Sequence, residues 1–214
     1  MNPEAMHPDI PVIPDRGRQR AVRAEQDPMV ARSLVGLPDL PTIVAIGPFA
    51  DLAHAEQLAA AFTAVRRRCR AQLVLLGTGV QRAAILRRTL TQGVRTSVHL
   101  VRDSSEGRWS DWVAAADLVV PSNASGSTRL LEVLAAGRPV VAPADPATVR
   151  LVVPASAGLV YRPGDVPAMA GALLRLLTAP ALCHGMGCRA REAARQYHLQ
   201  RIALQVADEG NSYA

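Results

Sequence analysis

LVVPSNASGSTRLLEVLAAGRPVVA, running from Leu118 to Ala142, decides how the chain is read. It divides into an apolar strand (Leu118 to Val120), a polar loop (Pro121 to Thr128), an amphipathic helix (Arg129 to Ala136), a glycine stop at Gly137 and a second apolar strand (Pro139 to Ala142). Short apolar runs on either side of a helix predict a βαβ unit, and therefore a parallel sheet. The loop leaves the carboxyl end of a strand and opens a helix. Its backbone N–H groups and the positive helix end would then face one crevice, where open α/β sheets receive anionic ligands. Ser125, Gly126, Ser127 and Thr128 are small and rich in donors, which lets phosphate oxygens approach the backbone. Glu132 falls on the first turns of the helix, and a carboxylate there suits a ribose diol because it accepts two hydroxyl hydrogen bonds.

The same alternation continues outward. Strands are expected at Thr42 to Ile46, Gln72 to Leu76, Ser97 to Val101, Asp117 to Val120, Val140 to Ala142 and Gly158 to Tyr161. Helical patterns lie at Ala31 to Val35, Ala53 to Arg68, Val80 to Thr91 and Ser110 to Ala115, and again at Val166 to Leu177, Ala181 to Gln196 and His198 to Ala207. This predicts an α/β fold: a single Rossmann-like domain over 15–214, with a parallel sheet and helices on both faces. Residues 1–14 read as a disordered or linker segment, proline-bearing and poor in apolar residues. Gly77 to Gly79 lacks the third glycine of a dinucleotide fingerprint. It reads instead as a tight strand-to-helix turn beside the ligand crevice, with Gly47 closing the preceding strand.

Composition narrows the class. The chain has 214 residues, 49% of them hydrophobic but only 3% aromatic, so its core must be aliphatic. All 24 basic residues are arginine. No run of 18 apolar residues and no signal-peptide pattern is present, and three cysteines without metal spacing fit a reducing, cytoplasmic setting with no metal. His54, His99, His184 and His198 show no ligand spacing and read as surface residues; Ser122, Asp117 and His99 lack the GxSxG elbow of a hydrolase. Trp112 reads as core and Trp109 as an exposed candidate for base stacking. The cluster Arg66, Arg67, Arg68 and Arg70 suits a helix C-terminus. With the net charge of +6 it motivates a rival class, a nucleic-acid or anionic-surface binder. No recognition helix, RNP motif or basic–aromatic interleaving supports nucleic acid.

The motif PS, small residues and then LLEVLAAGRPVVA resembles the nucleotide-sugar-binding half of GT-B glycosyltransferases, family 4 in particular. The resemblance extends over VIPD (Val12 to Asp15), TIVAIGPF (Thr42 to Phe49), LVLLGTG (Leu73 to Gly79), AAADLVVPS (Ala114 to Ser122) and GLVYRPGD (Gly158 to Asp165). It implies a donor site in which Glu132 holds the ribose, Ser125 to Thr128 lie against the diphosphate, and Gly47, Gly77 and Gly79 line the turns. The implied reaction is retaining transfer of a hexosyl unit from a UDP- or GDP-linked sugar, with no cofactor or metal ion. Three family positions depart from the pattern. The carboxylate that contacts the donor sugar falls on Ala124, and the Arg and Lys that grip the diphosphate fall on Pro48 and Ala53. Arg129 is either a partial substitute or a solvated helix residue.

The resemblance starts at the family's interdomain segment, so an acceptor domain is expected from a partner chain or from self-association. In the family the final helix packs back toward that domain, which makes the apolar face of Ile202, Leu204 and Val206 a candidate partner surface. The alternative is a catalytically dead interaction module derived from such an enzyme.

Overall fold

The computed structural model describes residues 27–101, 106–122 and 126–211; the side chains of 106–108, 126–127 and 201–211 are outside that description. In chain order the elements are α1 (Pro28–Val35), β1 (Thr42–Ile46), α2 (Leu52–Arg66), β2 (Gln72–Leu76), α3 (Arg82–Thr91), β3 (Val98–Val101) and α4 (Glu106–Ala114). There follow β4 (Leu118–Pro121), α5 (Gly126–Ala135), β5 (Val140–Pro143), α6 (Pro146–Val152), β6 (Gly158–Tyr161), α7 (Val166–Leu177) and α8 (Pro180–Asn211). The six strands form one sheet in the order β3-β2-β1-β4-β5-β6, and every pairing is parallel. This is the expected Rossmann-like α/β fold.

Helices cover both faces of the sheet, which is why β1 to β5 are buried along their whole lengths instead of alternating. On one face Ile43, Leu73, Leu75 and Leu118 pack under Leu58 and Phe62 of α2, Ile85 of α3, and Met169 and Leu173 of α7. On the other, Val44, Ile46, Val74 and Val119 meet Ala31 of α1, Trp112 of α4, Leu130 and Leu134 of α5, and Ala190 of α8. The core is aliphatic as composition requires, and Trp112 belongs to it. Helix α8 contributes Met186 to the first layer and Ala190 to the second, so it crosses the amino ends of the strands between them. A glycine at that crossing is obligatory: a Cβ on Gly187 would overlap the carbonyl oxygen of Gly137.

Aspartates start many of the helices. Asp27, Asp51, Asp145 and Asp165 accept hydrogen bonds from the first-turn N–H groups of α1, α2, α6 and α7, and proline occupies the first turn of α1, α6 and α7. Helix α6 is absent from the sequence reading because seven residues are too few for apolar periodicity, although Asp145-Pro146 is a legible start signal. The two helices expected at Ala181 to Gln196 and His198 to Ala207 are one continuous α8, since neither glycine nor proline separates them. The Ile202, Leu204 and Val206 side chains lie outside the description, as does all of 1–26, including the expected 1–14 segment. Among the described residues, no single helix is long and apolar enough to cross a membrane.

The histidine expectation is corrected in part. His184 and His198 are exposed, but His54 is 5% exposed on α2 and His99 is 7% exposed on β3. Loose spacing says nothing of burial, and both rings lie on faces that helices or strands cover. Burial lowers the basicity of both imidazoles, the nearby Asp51 opposing it at His54. A depressed histidine binds fewer protons folded than unfolded, so its contribution is fully present above the ordinary histidine value of 6.5 and is lost as pH falls below it. Chemical denaturation from pH 8 to pH 5 should therefore show stability declining below about pH 6.5, and His99→Leu should flatten the decline.

Candidate functional site

The chain winds outward from β1 to β2 and β3, then returns to β4 on the other side of β1 and continues to β5 and β6. The segments after β1 and β4 consequently leave for opposite faces, to α2 and α5, and open a crevice at the carboxyl ends of these two strands. At its base Ser122 is buried and donates its N–H to Ile46 O at 2.9 Å.

One wall is a pair of interlocked turns. Gly47 N–H donates to Leu76 O at 2.8 Å, Phe49 N–H to Thr78 O at 2.8 Å, and Gln81 N–H to Phe49 O at 3.0 Å. Gly79, at φ +136°, lies so close to Phe49 that a Cβ would overlap its backbone. Buried Arg82 donates from Nη1 to Gly77 O at 2.7 Å and ties the second turn to the start of α3. Gly47, Gly77 and Gly79 are thus brought together, as a tight turn requires. The helix after it begins at Arg82, two residues later than expected; the Gln81 N–H bonds to Phe49 O, and Val80 is 80% exposed.

The opposite wall is α5. It starts at Gly126, so Gly126, Ser127 and Thr128 form its first turn rather than a loop before it. This corrects the expected start at Arg129 and places at the crevice the first-turn N–H groups, which have no partner within the helix. Ser125 and Ala124 lie outside the described residues. Gly137, at φ +68°, follows the end of α5, in line with its reading as a stop.

Glu132 lies two turns into α5, half-exposed, and its Oε2 accepts from Arg129 Nη1 at 2.8 Å. The guanidinium of Arg129 also lies 5.1 Å from the ring centre of Trp109 on α4. Arg129 is therefore not a loose surface side chain: it joins the carboxylate to an indole. The expected exposure of Trp109 is only partial, since Arg129 covers its face.

Pro48 and Ala53 are exposed beside β1 and bring no charge to the wall where the family pattern has Arg and Lys. The N-terminus of α2 is already occupied by an anion, because Asp51 Oδ1 accepts from Ala53 N–H at 2.9 Å. Arg82 and Asp51 were missed as site residues. The sequence signal for Asp51 was its place just before the helix; the partner of Arg82, a carbonyl five residues back in a glycine turn, leaves no signal.

The opposite end of the sheet carries its own charges. Arg32 donates to Asp39 Oδ1 at 2.7 Å and to Asp117 Oδ2 at 3.2 Å, while Asp117 accepts from Thr42 N–H at 2.6 Å. Burial raises the proton affinity of Asp117 despite Thr42, Arg32 and Arg138. A cavity of about 350 Å³ opens here, lined by Arg32, Asp117, Arg138, Cys183 and His184. The charged groups largely satisfy one another, and burial pushes the Cys183 thiol up to about 11, so it is no nucleophile at neutral pH. Among the described residues no three His, Cys, Asp or Glu side chains converge as a metal site, and Cys69, Cys183 and Cys188 are free thiols.

A doubly wound parallel sheet with its crevice between β1 and β4 is the architecture of one GT-B domain. The chain belongs to the glycosyl transferases group 1 family, whose pattern matches residues 40–179. Sucrose-phosphate synthase from Thermosynechococcus elongatus superposes on 90% of this chain and 51% of its own, with 25% identity and a TM-score of 0.72. The C-terminal domain of the group 1 glycosyl transferase LpcC from Francisella tularensis superposes on 83% of this chain and 98% of its own, with 14% identity and a TM-score of 0.73. Anabaena HepE, solved with UDP and glucose, superposes on 87% of this chain and 52% of its own, with 16% identity and a TM-score of 0.71. The chain thus spans about half of sucrose-phosphate synthase and nearly all of a single C-terminal domain. No curated protein sequence matches it closely enough to count as a relative.

Because both partners are partly exposed, the Arg129–Glu132 pair adds little to folding. Arg129→Leu should change unfolding free energy by less than about 1 kcal/mol. It should nevertheless alter tryptophan emission, because Trp109 loses its cation while Trp112 stays buried.

Proposed function

We propose that the chain is the donor-binding half of a retaining hexosyltransferase that uses a UDP- or GDP-sugar without a metal ion. The observation that carries this reading is the first turn of α5 at the crevice with Glu132 two turns behind it, in a chain of the group 1 family. In this reading Glu132 takes the ribose hydroxyls, the N–H groups of Gly126 to Thr128 take phosphate oxygens, and Ser125 extends that cradle. Gly47, Gly77 and Gly79 keep the facing wall low enough for the nucleotide to lie against backbone. Arg129, next to the helix start, offers the positive charge that Pro48 and Ala53 do not. The complex of HepE with UDP and glucose supports a nucleotide-sugar ligand for this fold.

Catalysis asks for more. Stabilising the charge of a leaving diphosphate is a large term in such transfers, and here the family's Arg, Lys and sugar-contacting carboxylate are replaced by Pro48, Ala53 and Ala124. Asp51 adds a negative charge at the α2 terminus. An acceptor-binding half, from another chain or further polypeptide, would also be needed to close the crevice against water. We therefore read the 214-residue chain as inactive alone. The second reading, a binding module that has lost turnover altogether, is favoured by the same three replacements.

Calorimetry with UDP, GDP and ADP at millimolar ligand tests the donor site. Two missing charge-assisted contacts cost about 3–6 kcal/mol, roughly 10²- to 10⁴-fold in affinity, so binding should be weak but measurable for UDP or GDP. Glu132→Ala should weaken it at least about tenfold, the scale of a hydrogen bond to a charged group. No heat from any nucleotide would remove the reading. A separate assay with UDP- and GDP-hexoses should detect no glycosyl transfer and at most trace donor hydrolysis; robust turnover by the purified chain would overturn the inactivity.

A further inference from the structure

Between Glu56 and Asp103 the sequence contains no acidic residue, while nine arginines fall in that stretch. The fold gathers most of them at one corner. Strands β1, β2 and β3 are parallel neighbours, so α2 and α3 both return the chain to the amino end of the sheet, and the two helices pack side by side. The end of α2 and the turn after it carry Arg66, Arg67, Arg68 and Arg70; the second half of α3 carries Arg87 and Arg88. Arg66 donates to Cys69 O at 3.4 Å. The other five are exposed, and among the described residues none of them meets a carboxylate.

Helix dipoles do not account for this concentration. A helix C-terminus is equivalent to about half a negative charge, so two ends attract roughly one cation where six guanidinium groups stand. Unpaired like charges at one corner repel each other and cost stability unless an external anion meets them. The corner is built of loops and helix ends. Its stretch contains a single aromatic residue, Phe62, which is fully buried, so nothing is available for stacking on bases. It also presents helix C-termini, whose carbonyls do not receive phosphates as helix N-termini do. Such a surface suits a broad anionic plane that needs charge and no shape.

We propose that this corner, at the end of the sheet opposite the crevice, docks the protein on an anionic phospholipid bilayer. A membrane-bound chain would keep the carboxyl ends of β1 and β4 turned away from the lipid and open. The inference does not depend on nucleotide binding.

Co-sedimentation with phosphatidylcholine vesicles, plain or carrying about one-third phosphatidylglycerol, tests it. Binding should occur only with the anionic vesicles and should vanish near 1 M salt, where the screening length falls to about 3 Å. Each arginine near an anionic surface is worth about fivefold, so Arg67→Gln, Arg68→Gln and Arg88→Gln together should weaken binding about 100-fold with an unchanged melting temperature. The control removes the same charge from exposed positions elsewhere, Arg150→Gln, Arg162→Gln and Arg195→Gln, and should leave binding within a few-fold. Equal loss in the control would show that net charge alone is at work. That result, equal binding to neutral vesicles, or tighter binding to random duplex DNA than to anionic vesicles at one salt concentration, would overturn the proposal.

Discussion

The parallel pairing of β1 with β4 is the constraint on which the rest of the structure depends. Its register runs from Ile43–Leu118 to Ile46–Pro121, although the two strands are separated by two complete strand–helix excursions. Both ends of the pair are pinned. At the amino end Asp117 accepts the Thr42 N–H and draws in Arg32; at the carboxyl end Ser122 donates to Ile46 O. Because consecutive halves of the chain grow away from this pair in opposite directions, the strand order reverses here. The crevice is the geometric consequence.

That crevice has two unlike walls. On the α5 side, backbone N–H groups, Thr128 and the linked set Trp109–Arg129–Glu132 combine donors, a cation and a carboxylate over the first two turns of the helix. On the β1 side, the turns are held by backbone hydrogen bonds and by Arg82, and the residues facing out are Pro48 and Ala53, with Asp51 bound to its own helix. A wall of this kind supports a ligand sterically without neutralising it. The imbalance is the physical ground for separating proposed binding from turnover.

The two ends of the sheet carry opposite electrostatic designs. The carboxyl end concentrates helix N-termini around a crevice. The amino end ties buried Arg32 to exposed Asp39 and to Asp117, and exposes arginines after α2 and on α3 that meet no carboxylate among the described residues. With no lysine in the chain and an aliphatic core, every cation is a guanidinium, and only burial and partners distinguish a structural one from a surface one.

The sequence by itself determined the strand–helix alternation, the parallel sheet and the Gly126–Glu132 segment as the candidate site, because buried parallel strands and glycine stops leave period and punctuation in the residue order. Thr42 to Ile46, Gln72 to Leu76, Gly158 to Tyr161 and Val166 to Leu177 fall within the same bounds in the structure. Tertiary structure decided what depends on neighbours remote in sequence. His54 and His99 are buried because helices and strands cover them, Arg82 is spent on a glycine turn, and Arg129 is claimed by Glu132 and Trp109. An arginine's role is set by what its guanidinium meets in space, and Arg129 lies 5.1 Å from the Trp109 ring centre only once α4 and α5 pack on the same face of the sheet.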